Sequence, residues 1–152
     1  MTAQHVFVTR DADGTRGLGA ALGRRLGPGA VVLLRGDLGA GKTTFVQGLA
    51  RGLGVADAVI SPTFVLVREH AVGADDPRPA GPPATRLVHA DLYRLRGAAD
   101  AAALGLDDHL AAGDIVVVEW PERAPGLWPD DAIAVALEGA PREGRAGPGP
   151  AA

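Results

Sequence analysis

The feature that most constrains the fold is a glycine-rich segment that joins a buried-strand pattern to a helix pattern. Residues 36–43 read GDLGAGKT and match the pattern G-x-x-x-x-G-K-[ST] at every fixed position. Residues 30–34 before it form an unbroken apolar run, typical of a strand buried on both faces, and residues 42–53 after it carry an apolar stripe at four-residue spacing. In such a unit the loop amides and the helix N-terminus converge on phosphate groups. The sequence therefore predicts a phosphate-binding loop.

The lysine of this loop, Lys42, is the only lysine among the 15 Lys and Arg residues of the chain. A slim ammonium can reach between the β- and γ-phosphates of a nucleotide, where a planar guanidinium would not substitute. A tight turn without a ligand would explain the glycines but not the lysine. We expect Lys42 to hold the phosphates and the hydroxyl of Thr43 to bind Mg²⁺. The predicted nucleotide-binding residues of the loop and its helix are Gly36, Asp37, Leu38, Gly39, Ala40, Gly41, Lys42, Thr43 and Thr44.

The remaining patterns predict further strands and helices around this unit. Strands are predicted at residues 5–9, 63–68, 86–90, 114–119 and 132–137, and helices at residues 15–26, 98–104 and 107–111. Short apolar strands alternating with helices indicate an α/β fold, a three-layer αβα domain with a mostly parallel central sheet. Ligands of such sheets bind beyond the carboxyl ends of the strands, where the loop lies.

Length and composition favour a single domain, which we place at residues 1–138 of the 152-residue chain. Residues 71–85 are rich in Pro and Gly and predict a flexible surface insertion, and residues 139–152 predict a disordered tail. The absence of cysteine excludes thiol catalysis and zinc ribbons. A net charge of −3 argues against a stand-alone nucleic-acid binder, so RNA contact would require a partner. No signal sequence or membrane span is predicted, and we expect a soluble cytoplasmic protein.

Two carboxylates end apolar runs and are candidates for the chemistry of phosphoryl transfer. Asp91 follows residues 87–90, and Glu119 follows residues 115–118. One would serve the metal and the other the attacking water, and the residues alone leave open which does which. His89 lies two residues before Asp91 and can share its face of the strand, and we interpret it as a core histidine.

The nucleotide is predicted to be ATP. The chain has no asparagine, and its one lysine lies in the loop, so the guanine-reading motif N-K-x-D cannot form. Thr63, in the segment SPT at residues 61–63, is either a second hydroxyl near Mg²⁺ or part of a turn before a strand.

Four segments together resemble the TsaE (YjeE) family, over about residues 5–138. They are GDLGAGKTTF at residues 36–45, SPTF at residues 61–64, HADLYRL at residues 89–95 and VEWP at residues 118–121. The resemblance implies a small bacterial P-loop ATPase of tRNA threonylcarbamoyladenosine biosynthesis. Such an ATPase supports two partners, of the TsaB and TsaD types, as they transfer a threonylcarbamoyl group to adenosine 37 of ANN-decoding tRNAs. It would contact tRNA only through that complex and would not perform the transfer.

The same resemblance implies roles for the candidate catalytic and metal-binding residues. Thr43 and Glu119 would hold Mg²⁺, Lys42 and the loop amides would hold the phosphates, and Asp91 would activate or orient water. Thr63 would belong to a switch segment.

Further residues are implied by the resemblance alone. Trp120 resembles the tryptophan at the family's site, and a core or interface aromatic would have the same sequence pattern. Thr15 belongs to a segment that resembles the family's opening motif near the base, and Arg142 or Arg145 resembles a C-terminal arginine that approaches the nucleotide.

Two alternative functions fit a phosphate-binding loop. A small-molecule kinase would usually bring an arginine-rich lid, but Arg78 is the only arginine of the insertion at residues 71–85. A nucleotide-binding interaction module would use ATP as an assembly switch with negligible turnover. Slow turnover unless partners are present would favour the switch, which overlaps the function that the resemblance implies because hydrolysis there resets a complex. Rapid acceptor-dependent ADP formation would favour the kinase.

Overall fold

Strands and helices alternate along most of the chain. The computed structural model describes residues 4–56, 58–59, 67–72 and 86–139. In chain order its elements are α1 (Ala12–Gly23), β1 (Val31–Arg35), α2 (Lys42–Gly52), β2 (Val67–Ala71), β3 (Arg86–Asp91), α3 (Ala98–Ala103), α4 (Leu106–Ala112), β4 (Ile115–Glu119), a 3₁₀ turn (Pro121–Arg123) and β5 (Ile133–Ala136).

The strands form one five-stranded sheet in the order β2-β3-β4-β1-β5. Strand β2 runs antiparallel to β3, and the other neighbouring pairs are parallel. The predicted mostly parallel sheet is therefore confirmed. Strand β4 lies at its centre and β1 beside it, each with a strand on both sides, which explains why both are continuous apolar runs.

Helices cover both faces of the sheet. Val32 and Leu34 of β1 belong to a core shared with α2, whereas Val31 and Leu33 belong to a second core shared with α3 and α4. The alternation follows from the two-residue period of a strand. The predicted three-layer αβα architecture is confirmed.

Glycines bring α1 and α2 into close contact. A Cβ on Gly48 of α2 would overlap the backbone carbonyl of Arg16, and a Cβ on Gly19 of α1 would overlap the backbone of Phe45. Gly23 and Gly52 extend the same contact, so the helix that follows the loop is held backbone to backbone against α1.

Several predicted boundaries differ from the observed ones. The predicted strand at residues 5–9 is wrong: within the described part of the chain it pairs with no strand, and Val6 and Val8 are 81% and 88% exposed. Helix α1 begins at Ala12, not at residue 15, because the carboxylate of Asp11 accepts a hydrogen bond from Gly14 N at 2.8 Å and caps it.

The predicted insertion and tail fall mostly outside the described residues. Strand β2 extends to Ala71, which removes that residue from the predicted insertion. The rest of the insertion beyond Val72, the tail beyond residue 139 and residues 60–66 of the SPT region lie outside the described residues, so these predictions stay open.

Candidate functional site

The loop between β1 and α2 has a backbone that depends on glycine. Gly36, Gly39 and Gly41 have φ values of 156°, 81° and 102°, a region that other residues rarely adopt. A Cβ on Gly36 would also lie 2.6 Å from the carbonyl oxygen of Leu137, just after β5. Among the described residues no side chain caps the N-terminus of α2, so its first N–H groups are available to an anion.

Lys42 lies inside the loop rather than in solvent, with 5% of its surface exposed. Its Nζ donates to the carbonyl oxygens of Gly36 and Asp37, the second at 3.0 Å, and lies 4.4 Å from the centroid of the Trp120 ring. Carbonyl dipoles and the indole face thus compensate the buried charge. A bound phosphate would offer the same ammonium a stronger, charged partner.

The two predicted carboxylates meet at the carboxyl ends of adjacent parallel strands. Asp91 of β3 is aligned with Glu119 of β4, and their exposed fractions are 5% and 3%. Glu119 lies two residues after Val117, whose side chain packs against α2, and Asp91 is aligned with Glu119. Both carboxylates therefore lie on the face of the sheet that α2 covers.

The pKa of Asp91 is raised above its ordinary value, chiefly because burial disfavours the ionised carboxylate. A hydrogen bond from Tyr93 N at 2.9 Å acts in the opposite direction, and the negative charge of Glu119 raises the pKa further. Electrostatic interactions with His89 and Lys42 lower it by smaller amounts. The net direction favours proton uptake by Asp91.

His89 is fully buried behind these carboxylates. Its Nε2 lies 2.6 Å from Oε2 of Glu119, whereas its Nδ1 has no hydrogen-bond partner among the described residues. The sequence-based interpretation of a core histidine is correct for its location but missed this contact. The two-residue spacing from Asp91 indicated only that the two side chains share one face of the strand, because the contact with Glu119 also requires β3 and β4 to be neighbours.

A cavity of about 290 Å³ joins the loop to the strand ends. Its lining consists of Leu38, Gly39, Gly41, Lys42, Thr43, Thr44, Asp91, Tyr93, Glu119 and Trp120. Nine of these were predicted as site residues, and Tyr93 was not. Of the other predicted loop residues, Gly36 and Asp37 anchor Lys42 through their carbonyls, and Ala40 N donates to Asp37 O at 3.0 Å.

An aromatic pair forms one wall of the cavity. Trp120 has a left-handed backbone with φ of 59°, and its ring centroid lies 4.9 Å from that of Tyr93. A left-handed conformation costs energy in a bulky residue, and such strain concentrates at functional sites. Because Trp120 follows Glu119 directly, this turn carries the indole to the ammonium of Lys42. The structure thus brings the predicted Trp120 into the site.

The remaining predicted residues are less central or lie outside the described part. The methyl group of Thr15 lies 4.0 Å from where a Cβ of Gly41 would stand, and its hydroxyl is 2.9 Å from that of Thr9. Thr15 therefore lies beside the loop and is not among the described residues that line the cavity. Thr63, Arg142 and Arg145 lie outside the described residues, and their roles stay predictions.

Within the described ranges, no helix is long and apolar enough to cross a membrane.

Comparison with known proteins finds one matching family. The sequence profile of a family described as "Threonylcarbamoyl adenosine biosynthesis protein TsaE" matches residues 9–146. Several relatives carry the name "tRNA threonylcarbamoyladenosine biosynthesis protein TsaE". The relative from Nostoc sp. is 41% identical and aligns over 76% of this chain and 67% of its own. The relative from Streptomyces coelicolor is 49% identical and aligns over 70% of this chain and 67% of its own. The relative from Treponema pallidum is 35% identical and aligns over 86% of this chain and 88% of its own.

A solved structure resembles the fold. It is the crystal structure of Bacillus subtilis YdiB, which superimposes with a TM-score of 0.65 at 28% sequence identity. The match covers 86% of this chain and 73% of that chain.

Proposed function

This chain belongs to the TsaE family, and on that premise we propose that it binds and hydrolyses ATP with Mg²⁺ in support of threonylcarbamoyladenosine formation on tRNA. The relatives carry that pathway in their names. In the proposed function, partners of the TsaB and TsaD types transfer the threonylcarbamoyl group to adenosine 37 of ANN-decoding tRNAs in the cytoplasm. This chain supplies ATP turnover and contacts tRNA only through the complex.

The observation that carries the proposal is the convergence of a phosphate-binding loop and two buried carboxylates on one cavity. Lys42, Thr43, Asp91 and Glu119 come from three different elements and line the same space of about 290 Å³. This combination is the set of parts that phosphoryl transfer needs: donors for the phosphates, ligands for a metal and a base or orienter for the nucleophile.

The residues at this site fit Mg²⁺ and a nucleoside triphosphate. The hydroxyl of Thr43 and the carboxylate of Glu119 are hard oxygen donors, which Mg²⁺ prefers, and the phosphates and water would supply the remaining ligands. When bound, Mg²⁺ neutralises negative charge on the β- and γ-phosphate oxygens. The left-handed backbone of Gly39 and Gly41 would let N–H groups of the loop turn toward the same phosphates.

In the proposed reaction the chain positions the phosphates and moves one proton. Lys42 exchanges the carbonyl oxygens of Gly36 and Asp37 for phosphate oxygens when ATP binds. Asp91 then accepts a proton from the attacking water as the oxygen of that water bonds to the γ-phosphorus. The bond from that phosphorus to the β–γ bridging oxygen breaks, giving ADP and phosphate. The raised pKa of Asp91 supports this role, because a base titrating closer to the working pH is more effective.

An assay of phosphate release also distinguishes the proposed ATPase from the two alternatives, a small-molecule kinase and a binding module. Membership in the TsaE family does not favour a small-molecule kinase. A binding module without turnover would retain Mg²⁺-ATP and release no phosphate. We expect slow hydrolysis by the chain alone and a changed rate with its partners.

The test is a pair of measurements on the purified chain, ATP binding by calorimetry and phosphate release with and without Mg²⁺. Lys42→Ala serves as the blank, and GTP serves as the nucleotide control. We expect Mg²⁺-dependent phosphate release from ATP that Lys42→Ala abolishes. Equal release by Lys42→Ala, or tight ATP binding with no turnover even when the partners are added, would contradict the proposed ATPase.

A further inference from the structure

The buried imidazole of His89 has no place in the proposed chemistry, yet it touches a proposed metal ligand. The ring is 0% exposed and lies on β3, two residues before Asp91. Its Nε2 is 2.6 Å from Oε2 of Glu119 on the neighbouring strand β4. A short contact between two buried polar groups fixes both side chains.

The hydrogen-bond pattern determines which nitrogen carries the proton. With Nε2 protonated, the imidazole donates to the ionised carboxylate, and Nδ1 is left only as an unpaired acceptor among the described residues. With Nδ1 protonated instead, a buried donor would lack a partner and the Nε2 lone pair would face a carboxylate oxygen. The first arrangement costs less, because it makes one charge-assisted bond and buries no unpaired N–H.

We propose that His89 is a positioning residue that orients Glu119 for the metal ion. Its Nε2–H occupies Oε2 of Glu119, which leaves Oε1 as the oxygen available to Mg²⁺ or to its water. The bond also holds the Glu119 carboxylate in place beside Asp91, its aligned neighbour, although two buried like charges in adjacent strands repel each other. This role rests on the proposed function, since it requires Mg²⁺ at Glu119.

Other partners cannot substitute easily for this contact. Lys42, the cation that lines the same cavity, has its ammonium bound to Gly36 and Asp37. The backbone carbonyl of Glu119 already accepts from Leu92 N at 3.0 Å, which fixes the strand but not the carboxylate. Removal of the imidazole would therefore free the Glu119 side chain while its backbone stayed in the sheet.

The experiment measures the Mg²⁺ concentration at half-saturation with a fluorescent non-hydrolysable ATP analogue as probe. His89→Leu removes the donor at similar volume and should raise that concentration about 10-fold or more, the usual effect of losing a partner behind a metal ligand. His89→Gln places an amide N–H near the Nε2 position and should stay within about 3-fold of the parent. Affinity for the analogue in EDTA should be unchanged in both variants, because neither touches the loop.

Two comparisons make the proposal falsifiable. His89→Asn places its amide near Nδ1, too short to reach Glu119, so it should resemble His89→Leu, and equal effects of Asn and Gln would overturn the role even if the Leu variant did not fold. In a Glu119→Gln background His89→Leu should have no further effect on half-saturation, and an undiminished effect there would also overturn it. If the parent chain bound the analogue without any response to Mg²⁺, the proposed function would fail first and this role with it.

Discussion

Lys42 is the only cationic side chain among the described residues that line the cavity. Its ammonium is held by two loop carbonyls and an indole face, so the loop is ordered around it before any phosphate arrives. In the proposed function, Lys42 exchanges these partners for phosphate oxygens when ATP binds.

Replacement of Lys42 tests whether the loop needs an ammonium or only a positive charge. Lys42→Ala removes a charge-assisted contact to phosphate, and we expect ATP affinity measured by calorimetry to fall by about 100-fold. Lys42→Arg keeps the charge but not the slim shape of the ammonium, and its ATP affinity should fall nearly as far. Parent-like affinity of Lys42→Arg would show that charge alone suffices and would contradict the assignment.

We expect the carboxylate of Asp91 to lower the stability of the folded protein at neutral pH while it serves hydrolysis. Its raised pKa means that the folded protein holds the proton more tightly than the unfolded chain, so the free energy of unfolding falls as pH rises from about 3.8 through the folded-state pKa. Asp91→Asn removes this loss while its amide oxygen can still accept from Tyr93 N. The variant should be more stable than the parent at pH 7, and the difference should shrink below pH 4.

The measurement is urea unfolding of both proteins across pH, in EDTA and without nucleotide. In parallel, ATP hydrolysis by Asp91→Asn should fall by about 100-fold or more, the usual contribution of a general base. A variant that is less stable at pH 7, or a stability difference that does not change with pH, would contradict the account of this carboxylate.

Individual site residues could be predicted from the sequence where their role depends on local pattern. The loop residues follow from spacing, and Asp91 and Glu119 follow from their positions at the ends of apolar runs. His89 and Tyr93 could not be assigned in the same way. The contact of His89 with Glu119 depends on β3 and β4 being neighbours, and the contact of Tyr93 with Trp120 depends on a left-handed turn at a tryptophan.

At the scale of elements, the contact between α1 and α2 positions the loop helix. Gly48 of α2 contacts the backbone of Arg16. Gly17 lies on the exposed side of α1, and a Cβ added there would have no atom within 4 Å other than those of its chain neighbours and its own helix backbone. These two glycines form a matched pair for mutation to alanine. One is required by close packing and the other is not.

Gly48→Ala should destabilise the protein by about 3 kcal/mol, because the added methyl group forces two helix backbones apart. Gly17→Ala should instead stabilise it by up to about 1 kcal/mol, since alanine favours a helix more than glycine does. Chemical denaturation of both variants against the parent checks the pair. Similar effects of the two substitutions would show that the helices do not pack as closely as described.

The sequence predicted the existence of most elements but not their contacts. Helix α2 and strands β1, β3, β4 and β5 lie within a few residues of their predicted bounds, because each has a clear apolar period. Residues 5–9 carry an apolar pattern without a strand partner in the described part of the chain. An apolar pattern alone does not form a strand, since the ladder of hydrogen bonds needs a neighbour.

The order of the strands across the sheet brings the site residues together. Placing β4 between β1 and β3 puts Glu119 beside both Leu34, just ahead of the loop, and Asp91. The αβα class could be predicted from alternating patterns, but strand order depends on packing between distant segments. The order also explains why residues far apart in the chain line one cavity.

In the proposed function, ATP turnover at this site supports threonylcarbamoyl transfer to tRNA. The most direct test is threonylcarbamoyl incorporation into an ANN-decoding tRNA by the two partner proteins, followed over many turnovers with the parent chain, with Lys42→Ala and with no addition. We predict sustained incorporation with the parent chain and ATP, and at most one round in the other two reactions. Equal incorporation in all three reactions would contradict the claim.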